Sequence, residues 1–188
     1  SAKQAKQVKQ DSVTPIYDTL VANYPYGEMP QEKRDCIEST VAQLLEEGEH
    51  AEEPGLLLGK IQCGKTDTFE DIIGLAFDKG IDITICFTKG TKPLAEQTLM
   101  RMKKDYRFFK STDNLDQRAT INIDDIMNVW TGLRQVKVEG CKTVIVCKKQ
   151  ATNLSHLIDL FGTNSPFLKS KKVLLSFYVM NDIMMQGQ

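Results

Sequence analysis

The sequence predicts an α/β domain in which helices cover both faces of a mostly parallel sheet, giving three layers. Short runs rich in Ile, Val and Leu alternate with longer amphipathic segments along most of the chain. The short runs are apolar almost throughout, which is typical of strands buried on both faces of a parallel sheet. The chain has 188 residues, of which 41% are hydrophobic, and this is enough for one such core.

Composition excludes several classes of protein. Lys and Arg total 24 against 25 Asp and Glu, so a surface for nucleic acid has to be a local basic patch. No run of about 18 apolar residues occurs, and the first ten residues lack the apolar core of a signal peptide, so we expect a cytoplasmic protein without a membrane partner. The five cysteines are scattered, without the close pairs of a zinc site or disulfide framework, and indicate a reducing compartment.

Two amphipathic helices are predicted before the first strand. The segment "TPIYDTLVANY", residues 14–24, and the segment "PQEKRDCIESTVAQLLEEGEH", residues 30–50, both place apolar side chains at helical spacing. We therefore predict an N-terminal helical extension over residues 1–50. The acidic segment 46–55 contains Pro and Gly and is predicted to be a loop.

From residue 51 onward, strands and helices alternate. Predicted strands cover 56–61, 81–87, 142–148 and 171–180, and predicted helices cover 64–80, 92–106 and 152–161. Gly80 is expected to end the first of these helices, and Pro93 suits the first turn of the second. The stretch 106–135 predicts only a short helix, 123–133, within an irregular insertion.

A phosphate-binding motif lies between the first strand and its helix. Residues 59–66, "GKIQCGKT", match Gly-x-x-x-x-Gly-Lys-Thr, in which backbone N–H groups wrap a phosphate and the helix N-terminus favours the anion. Lys65 would bridge the β- and γ-phosphates of ATP, and the Thr66 hydroxyl would hold Mg²⁺. The predicted ATP site comprises Gly59, Lys60, Ile61, Gln62, Cys63, Gly64, Lys65 and Thr66. The alternative is a glycine-containing turn that matches by accident, and Cys63 is either a small filler or a reactive thiol.

The stretch 55–102 resembles the first RecA-like lobe of superfamily-two DEAD/DEAH-type helicases and the ATPase lobes of related restriction enzymes. Besides the phosphate motif, "FTKGTKPLAEQT", residues 87–98, is similar to helicase motif Ia, which contacts a nucleic-acid backbone. The resemblance implies a RecA-like P-loop NTPase domain over 51–188. It also implies nucleic-acid contacts from this motif and from the strand end at 144–154, with the candidates Thr88, Lys89, Thr91, Lys92, Gln97, Lys148 and Lys149.

Gln31 offers a further candidate in this resemblance, because such lobes place an adenine-reading glutamine ahead of the phosphate loop. The long spacing from Gln31 to Lys65 favours an ordinary helix start instead.

The chain departs from the family pattern where the catalytic acids should be. The resemblance predicts an Asp-Glu pair just after "KKVLL", residues 171–175, but the sequence continues "SFYVMNDIMMQGQ". Asp182 comes several residues late, and no Glu follows Glu139. Asp124 and Asp125 are adjacent acids whose position favours helix capping. A second RecA-like lobe is also missing, so the chain resembles a motor truncated before or at the Walker B motif.

These observations predict the ATP-binding lobe of a nucleic-acid-dependent ATPase, either a helicase or a restriction-type translocase. Its cofactors would be ATP and Mg²⁺, its catalytic residues Lys65 and Thr66, and its partners nucleic acid, with DNA favoured over RNA, and a nuclease or other restriction subunit. Without the acidic pair, binding should persist better than hydrolysis. The alternatives are a non-catalytic nucleotide-sensing or nucleic-acid-binding module, and a small P-loop phosphotransferase.

Overall fold

A computed structural model describes residues 6, 11–49, 56–59, 66–88, 90–110, 119–132, 141–162 and 173–177. Its centre is a sheet with the strand order β1-β5-β2-β4-β3. All neighbouring strands in this sheet run parallel. The strands are β1 (Leu56–Gly59), β2 (Ile83–Thr88), β3 (Ile121–Asp125), β4 (Lys142–Lys148) and β5 (Val173–Phe177).

Helices pack on both faces of the sheet and complete the three layers. They are α1 (Pro15–Ala22), α2 (Gln31–Glu49), α3 (Thr66–Asp78), α4 (Lys92–Asp105), α5 (Ile126–Gly132) and α6 (Ala151–Phe161). The first four share one core, which includes Cys86 and Val146 of the sheet. The last two share the opposite core, which includes Ile85 and Cys147. Successive strand side chains therefore alternate between two buried faces, as the apolar runs predicted.

The strand order shows that the chain first crosses the sheet in one direction and then returns in the other. The chain passes from β1 through β2 to β3 with α3 and α4 on one face, then returns through β4 to β5 with α5 and α6 on the other. This is the arrangement that right-handed crossovers produce in a doubly wound sheet. Strands β2 and β4 are neighbours, but β2 leads into α4 on one face of the sheet and β4 leads into α6 on the other. The loops after these two strands therefore diverge. The carboxyl ends of β2 and β4 therefore flank a topological switch point, where ligands of such sheets commonly bind.

The predicted end of α3 at Gly80 is confirmed. Gly80 has a φ of +107°, a left-handed conformation that glycine adopts without a Cβ clash. Its N–H donates to the carbonyl of Phe77, and the N–H of Ile81 donates to the carbonyl of Ala76. This pair of bonds is a Schellman motif, which satisfies carbonyls left unpaired at the helix end.

Two predictions about elements were wrong. The short helix predicted over residues 123–133 is present as α5 (Ile126–Gly132), but its first three positions belong instead to strand β3. The strand has only five residues, and polar Asn122, Asp124 and Asp125 obscure its apolar pattern. Helix α2 also continues to Glu49, into the segment predicted as a loop from residue 46.

Helix α1 is attached directly to the end of α3 by Asp78. The Asp78 carboxylate accepts hydrogen bonds from the backbone N–H groups of Ile16, at 3.1 Å, and Tyr17, at 2.8 Å. These are N–H groups of the first helical turn, which have no partner within the helix. Burial raises the pKa of Asp78 to about 6, although the two hydrogen bonds favour the charged form. Both α1 and α2 contribute to the same core as α3, and the boundary proposed at residue 51 stays a prediction.

The cysteines differ from the expectation drawn from their spacing. Cys86, Cys141 and Cys147 are free thiols, but Cys36 in α2 is disulfide-bonded. The spacing of the five cysteines in the sequence did not predict this bond. None of the helices in the described ranges combines the length and hydrophobicity needed to cross a lipid bilayer.

Candidate functional site

The phosphate motif bridges a strand end and a helix start. Gly59 is the last residue of β1 and Thr66 is the first residue of α3, so the two ends of the motif coincide with the bounds of these elements. The six residues between them, Lys60, Ile61, Gln62, Cys63, Gly64 and Lys65, lie outside the described residues. Since α3 follows the carboxyl end of a parallel strand, its N-terminus lies at the carboxyl edge of the sheet.

The middle of helix α3 is packed on two sides. The predicted apolar face, Phe69, Ile72, Ile73 and Ala76, is buried. On the side facing α1, a Cβ atom at Gly74 would lie 2.6 Å from Leu20 Cδ1 and 3.0 Å from Ile16 Cγ2, so a larger residue would require these side chains to move. Packing against the core and against α1 therefore holds α3 in place between residues 69 and 76.

A buried polar cluster connects α3 to α4 near the phosphate motif. Glu70 is 4% exposed, and its Oε1 lies 3.8 Å from Arg101 Nε of α4. Tyr106, at the end of α4, donates a hydrogen bond of 2.5 Å from its hydroxyl to the Glu70 backbone carbonyl. Burial, together with a hydrogen bond to Asp105, raises the pKa of Glu70 to about 10. The sequence did not predict this cluster, because Glu70 occupies an ordinary position in an amphipathic helix.

Strand β5 is the strand at whose end the family resemblance predicts an acidic pair. It lies between β1 and β2, and Ser176 is in register with Gly59 on one side and Cys86 on the other. The carboxyl end of β5 is thus beside the start of the phosphate motif. No residue of β5 is acidic, and Asp182 lies outside the described residues.

The acidic pair Asp124–Asp125 has a structural role, as the sequence favoured. Asp125 Oδ1 accepts the backbone N–H of Met127 at 2.9 Å, which caps the start of α5. Asp124 Oδ1 accepts from the backbone N–H of Asp125 and from Asn128 Nδ2, each at 2.8 Å. Both residues lie on the edge strand β3, which is separated from β1 by the three strands β5, β2 and β4. They are too remote to bind Mg²⁺ beside Thr66.

The two segments predicted to contact nucleic acid lie together at the switch point. The Lys149 backbone N–H donates to the Thr88 carbonyl at 2.8 Å, which joins the end of β2 to the loop after β4. A Cβ atom at Gly90 would lie 3.1 Å from the Lys149 carbonyl oxygen, so the two loops touch. The helices α4 and α6 both begin beside this contact, and their N-termini carry unpaired N–H groups that favour anions.

The individual candidates at this edge differ in their exposure. Thr91, Lys92, Gln97 and Lys149 are exposed, Lys148 is half-buried and Lys89 lies outside the described residues. Lys92 Nζ lies 3.8 Å from Glu96 Oε1, an exposed pair that leaves the ammonium accessible. Thr88 is completely buried in the sheet, so its hydroxyl is not at the surface where a phosphate would bind. The structure thus removes Thr88 from the predicted side-chain contacts.

Gln31 takes the role of an ordinary helix residue. It begins α2, and its side-chain Nε2 donates to Asp35 Oδ1 at 2.8 Å one turn later.

A cavity of about 810 Å³ lies nearby, between α1 and the first half of α2, and Gln31 is not part of the described lining. The lining includes Tyr17 and Arg34, whose Oη and Nε atoms are buried without a hydrogen-bond partner in the described structure. The sequence did not predict this cavity.

Metal-ligating side chains are sparse in the described ranges, which contain no group of three or more His, Cys, Asp or Glu placed to hold a metal ion. Mg²⁺ in nucleotide sites is held largely by phosphate oxygens and water with one or two protein oxygens, so a single Thr66 hydroxyl is compatible with Mg·ATP.

Comparison of the chain with family models, curated proteins and solved structures finds no match. The function has to be inferred from the residues and their placement.

Proposed function

We propose that this chain is the ATP-binding lobe of a nucleic-acid-dependent ATPase of the helicase or restriction-type translocase kind, with the P-loop NTPase fold. The observation that carries the proposal is the coincidence of motif and fold at the β1–α3 junction. Gly59 ends a parallel strand and Thr66 starts a helix of 13 residues. A chance match to the motif would have no reason to start and end at these bounds.

The anion would bind where the physical chemistry of the fold favours negative charge. The N-terminus of α3 carries unpaired N–H groups and a partial positive charge, and the Lys65 ammonium would add a full charge against the β- and γ-phosphates. Thr66 would supply one oxygen to Mg²⁺. Mg·ATP brings the phosphoryl group to be transferred, whereas the chain's own residues bind and orient it.

The nucleic-acid strand would bind along the β2–β4 switch point. Lys92 and Lys149 provide charge there, Thr91 provides a hydroxyl, and the starts of α4 and α6 provide N–H donors. All of these groups suit phosphate oxygens and none reads a base, so the contact would be independent of sequence and would weaken with salt. Single-stranded DNA is the substrate that we favour. A nuclease or other restriction subunit would supply the remaining activities.

Hydrolysis would be weak, because the strand next to β1 brings no acid to the nucleotide. Residues 173–177 offer neither a carboxylate for Mg²⁺ nor a base for the attacking water. The same observation favours a second candidate function, a nucleotide-sensing module that binds ATP without turnover. Phosphate release in the presence and absence of single-stranded DNA distinguishes the two, since only a working ATPase lobe is stimulated by the strand.

The direct test is calorimetric titration of Mg·ATP into the parent chain and into Lys65→Ala. Loss of a charge-assisted contact to phosphate should weaken binding by at least about tenfold, since such bonds contribute roughly 1.5–3 kcal/mol. Lys79→Ala is the matched control, because it removes a lysine just after the other end of the same helix. Equal affinity of the parent and Lys65→Ala would contradict the proposal.

A further inference from the structure

Tyr106 and Arg101 of α4 approach the first half of the helix that follows the phosphate motif. Glu70 lies four positions after Thr66, and its backbone carbonyl accepts the Tyr106 hydroxyl. Tyr106 is 1% exposed and its ring packs near Phe109, with the ring centroids 6.0 Å apart. The hydroxyl is therefore held in place by a packed ring, and its bond to α3 is shielded from water.

The Glu70 side chain adds a second connection between the same two helices. Its carboxyl lies 3.8 Å from Arg101 Nε and hydrogen-bonds Asp105, and Arg101 Nε also lies 3.7 Å from Asp105 Oδ2. The groups around Glu70 are thus Arg101, Asp105 and Tyr106 from α4 and Asp71 from its own helix. The Tyr106 hydrogen bond and these carboxyl contacts together connect α3 to α4, although Glu70 Oε1 itself accepts no hydrogen bond in the described structure.

We infer that Tyr106 and Arg101 are positioning residues for the phosphate-binding helix turn: they hold the segment from Thr66 to Glu70 in place and thereby keep its N–H groups directed at the nucleotide. This inference rests on the proposed function. Both residues act on this turn through Glu70, whose backbone carbonyl accepts the Tyr106 hydroxyl and whose Oε1 lies 3.8 Å from Arg101 Nε. Helix α4 begins at the proposed nucleic-acid loop, and these contacts therefore join the two proposed binding regions through one element.

Tyr106→Phe tests the inference because it deletes one hydroxyl and keeps the ring. Tyr17→Phe is the matched control, since Tyr17 is also buried and packs beside α3 but its hydroxyl has no hydrogen-bond partner in the described structure. Hydrogen exchange of the protein without nucleotide is the first measurement. We expect amides of residues 70–74, the first that are protected by helical hydrogen bonds in α3, to exchange roughly fivefold faster in Tyr106→Phe, as the loss of one hydrogen bond implies, and to be unchanged in Tyr17→Phe.

Titration with Mg·ATP is the second measurement. Tyr106→Phe should bind several-fold more weakly than the parent, whereas Tyr17→Phe should match the parent. Faster exchange that is spread evenly over the protein, or unchanged affinity in a folded Tyr106→Phe variant, would overturn the inference. If Tyr106→Phe does not fold, hydrogen exchange and Mg·ATP titration of Arg101→Met test the positioning role instead.

The exchange measurement keeps the two claims separate. A parent chain that does not bind ATP refutes the proposed function, whether or not exchange changes locally. A parent that binds ATP, combined with variants that exchange and bind as the parent does, refutes only the positioning role.

Discussion

At the scale of single residues, Glu70 is an acidic side chain buried between two helices. A carboxyl group that is 4% exposed avoids the cost of a buried charge by remaining protonated, and burial accordingly raises its pKa to about 10. Its neighbour Asp105 accepts the hydrogen bond that the proton makes possible. The residue therefore connects two helices as a neutral donor, although the sequence shows it as an acid.

The raised pKa predicts how stability depends on pH. Between the unfolded value of 4.5 and the folded value of about 10, the native state holds a proton that the unfolded state has lost. Protonated Glu70 therefore makes its full contribution to stability below pH 4.5 and loses it progressively as the pH rises towards 10. The free energy of unfolding falls by at most about 1.4 kcal/mol per pH unit in this range.

Glu70→Gln should remove this dependence, because the amide is neutral at every pH and can still donate to Asp105. We expect the variant to gain stability over the parent between pH 5 and pH 8, by on the order of 2 to 4 kcal/mol. Urea unfolding of both proteins at several pH values measures the difference, and other titrating groups cancel in it. A constant difference across this range would contradict the assignment of a neutral Glu70.

At the scale of elements, the contact between the β2–α4 loop and the β4–α6 loop shapes the proposed nucleic-acid surface. A Cβ atom at Gly90 would lie 3.1 Å from the Lys149 carbonyl oxygen. Any side chain at this position would therefore displace that backbone carbonyl. Gly90→Ala should separate the loops by a few tenths of an ångström and misalign Lys92 and Lys149.

We expect Gly90→Ala to weaken binding of single-stranded DNA several-fold while the affinity for Mg·ATP stays the same. Gly162→Ala is the control, since a Cβ there would lie 3.4 Å from the Ile158 carbonyl oxygen, an ordinary contact. Fluorescence anisotropy with a labelled oligonucleotide at low salt measures the effect. DNA binding that is equal in the parent and in Gly90→Ala would show that this loop contact does not shape the binding surface.

At the scale of the whole molecule, the sequence predicted the α/β class, the parallel sheet and most elements. The strand β4 has the predicted bounds, and α3 ends as Gly80 indicated, because buried strands and glycine caps carry strong local signals. Strand β3 was missed because it is short and polar. The order of the strands could not be predicted, since pairing depends on contacts between residues distant in the chain.

The candidate sites were predictable to different degrees. A motif of contiguous residues predicts the phosphate loop, which stays a prediction, and the strand ends led to the exposed lysines, because both signals are local. The burial of Thr88 and the cluster around Glu70 arise from packing between elements, which local patterns do not encode. The disulfide of Cys36 likewise depends on which segments meet in space.

The central claim is that a nucleotide triphosphate binds at the β1–α3 junction, and a crystal structure with Mg²⁺ and a non-hydrolysable ATP analogue tests it most directly. The account predicts the phosphates at the N-terminus of α3, with Lys65 on the β- and γ-phosphates and the Thr66 hydroxyl on Mg²⁺. A nucleotide bound elsewhere, or Lys65 directed into solvent with no anion beside it, would contradict the account.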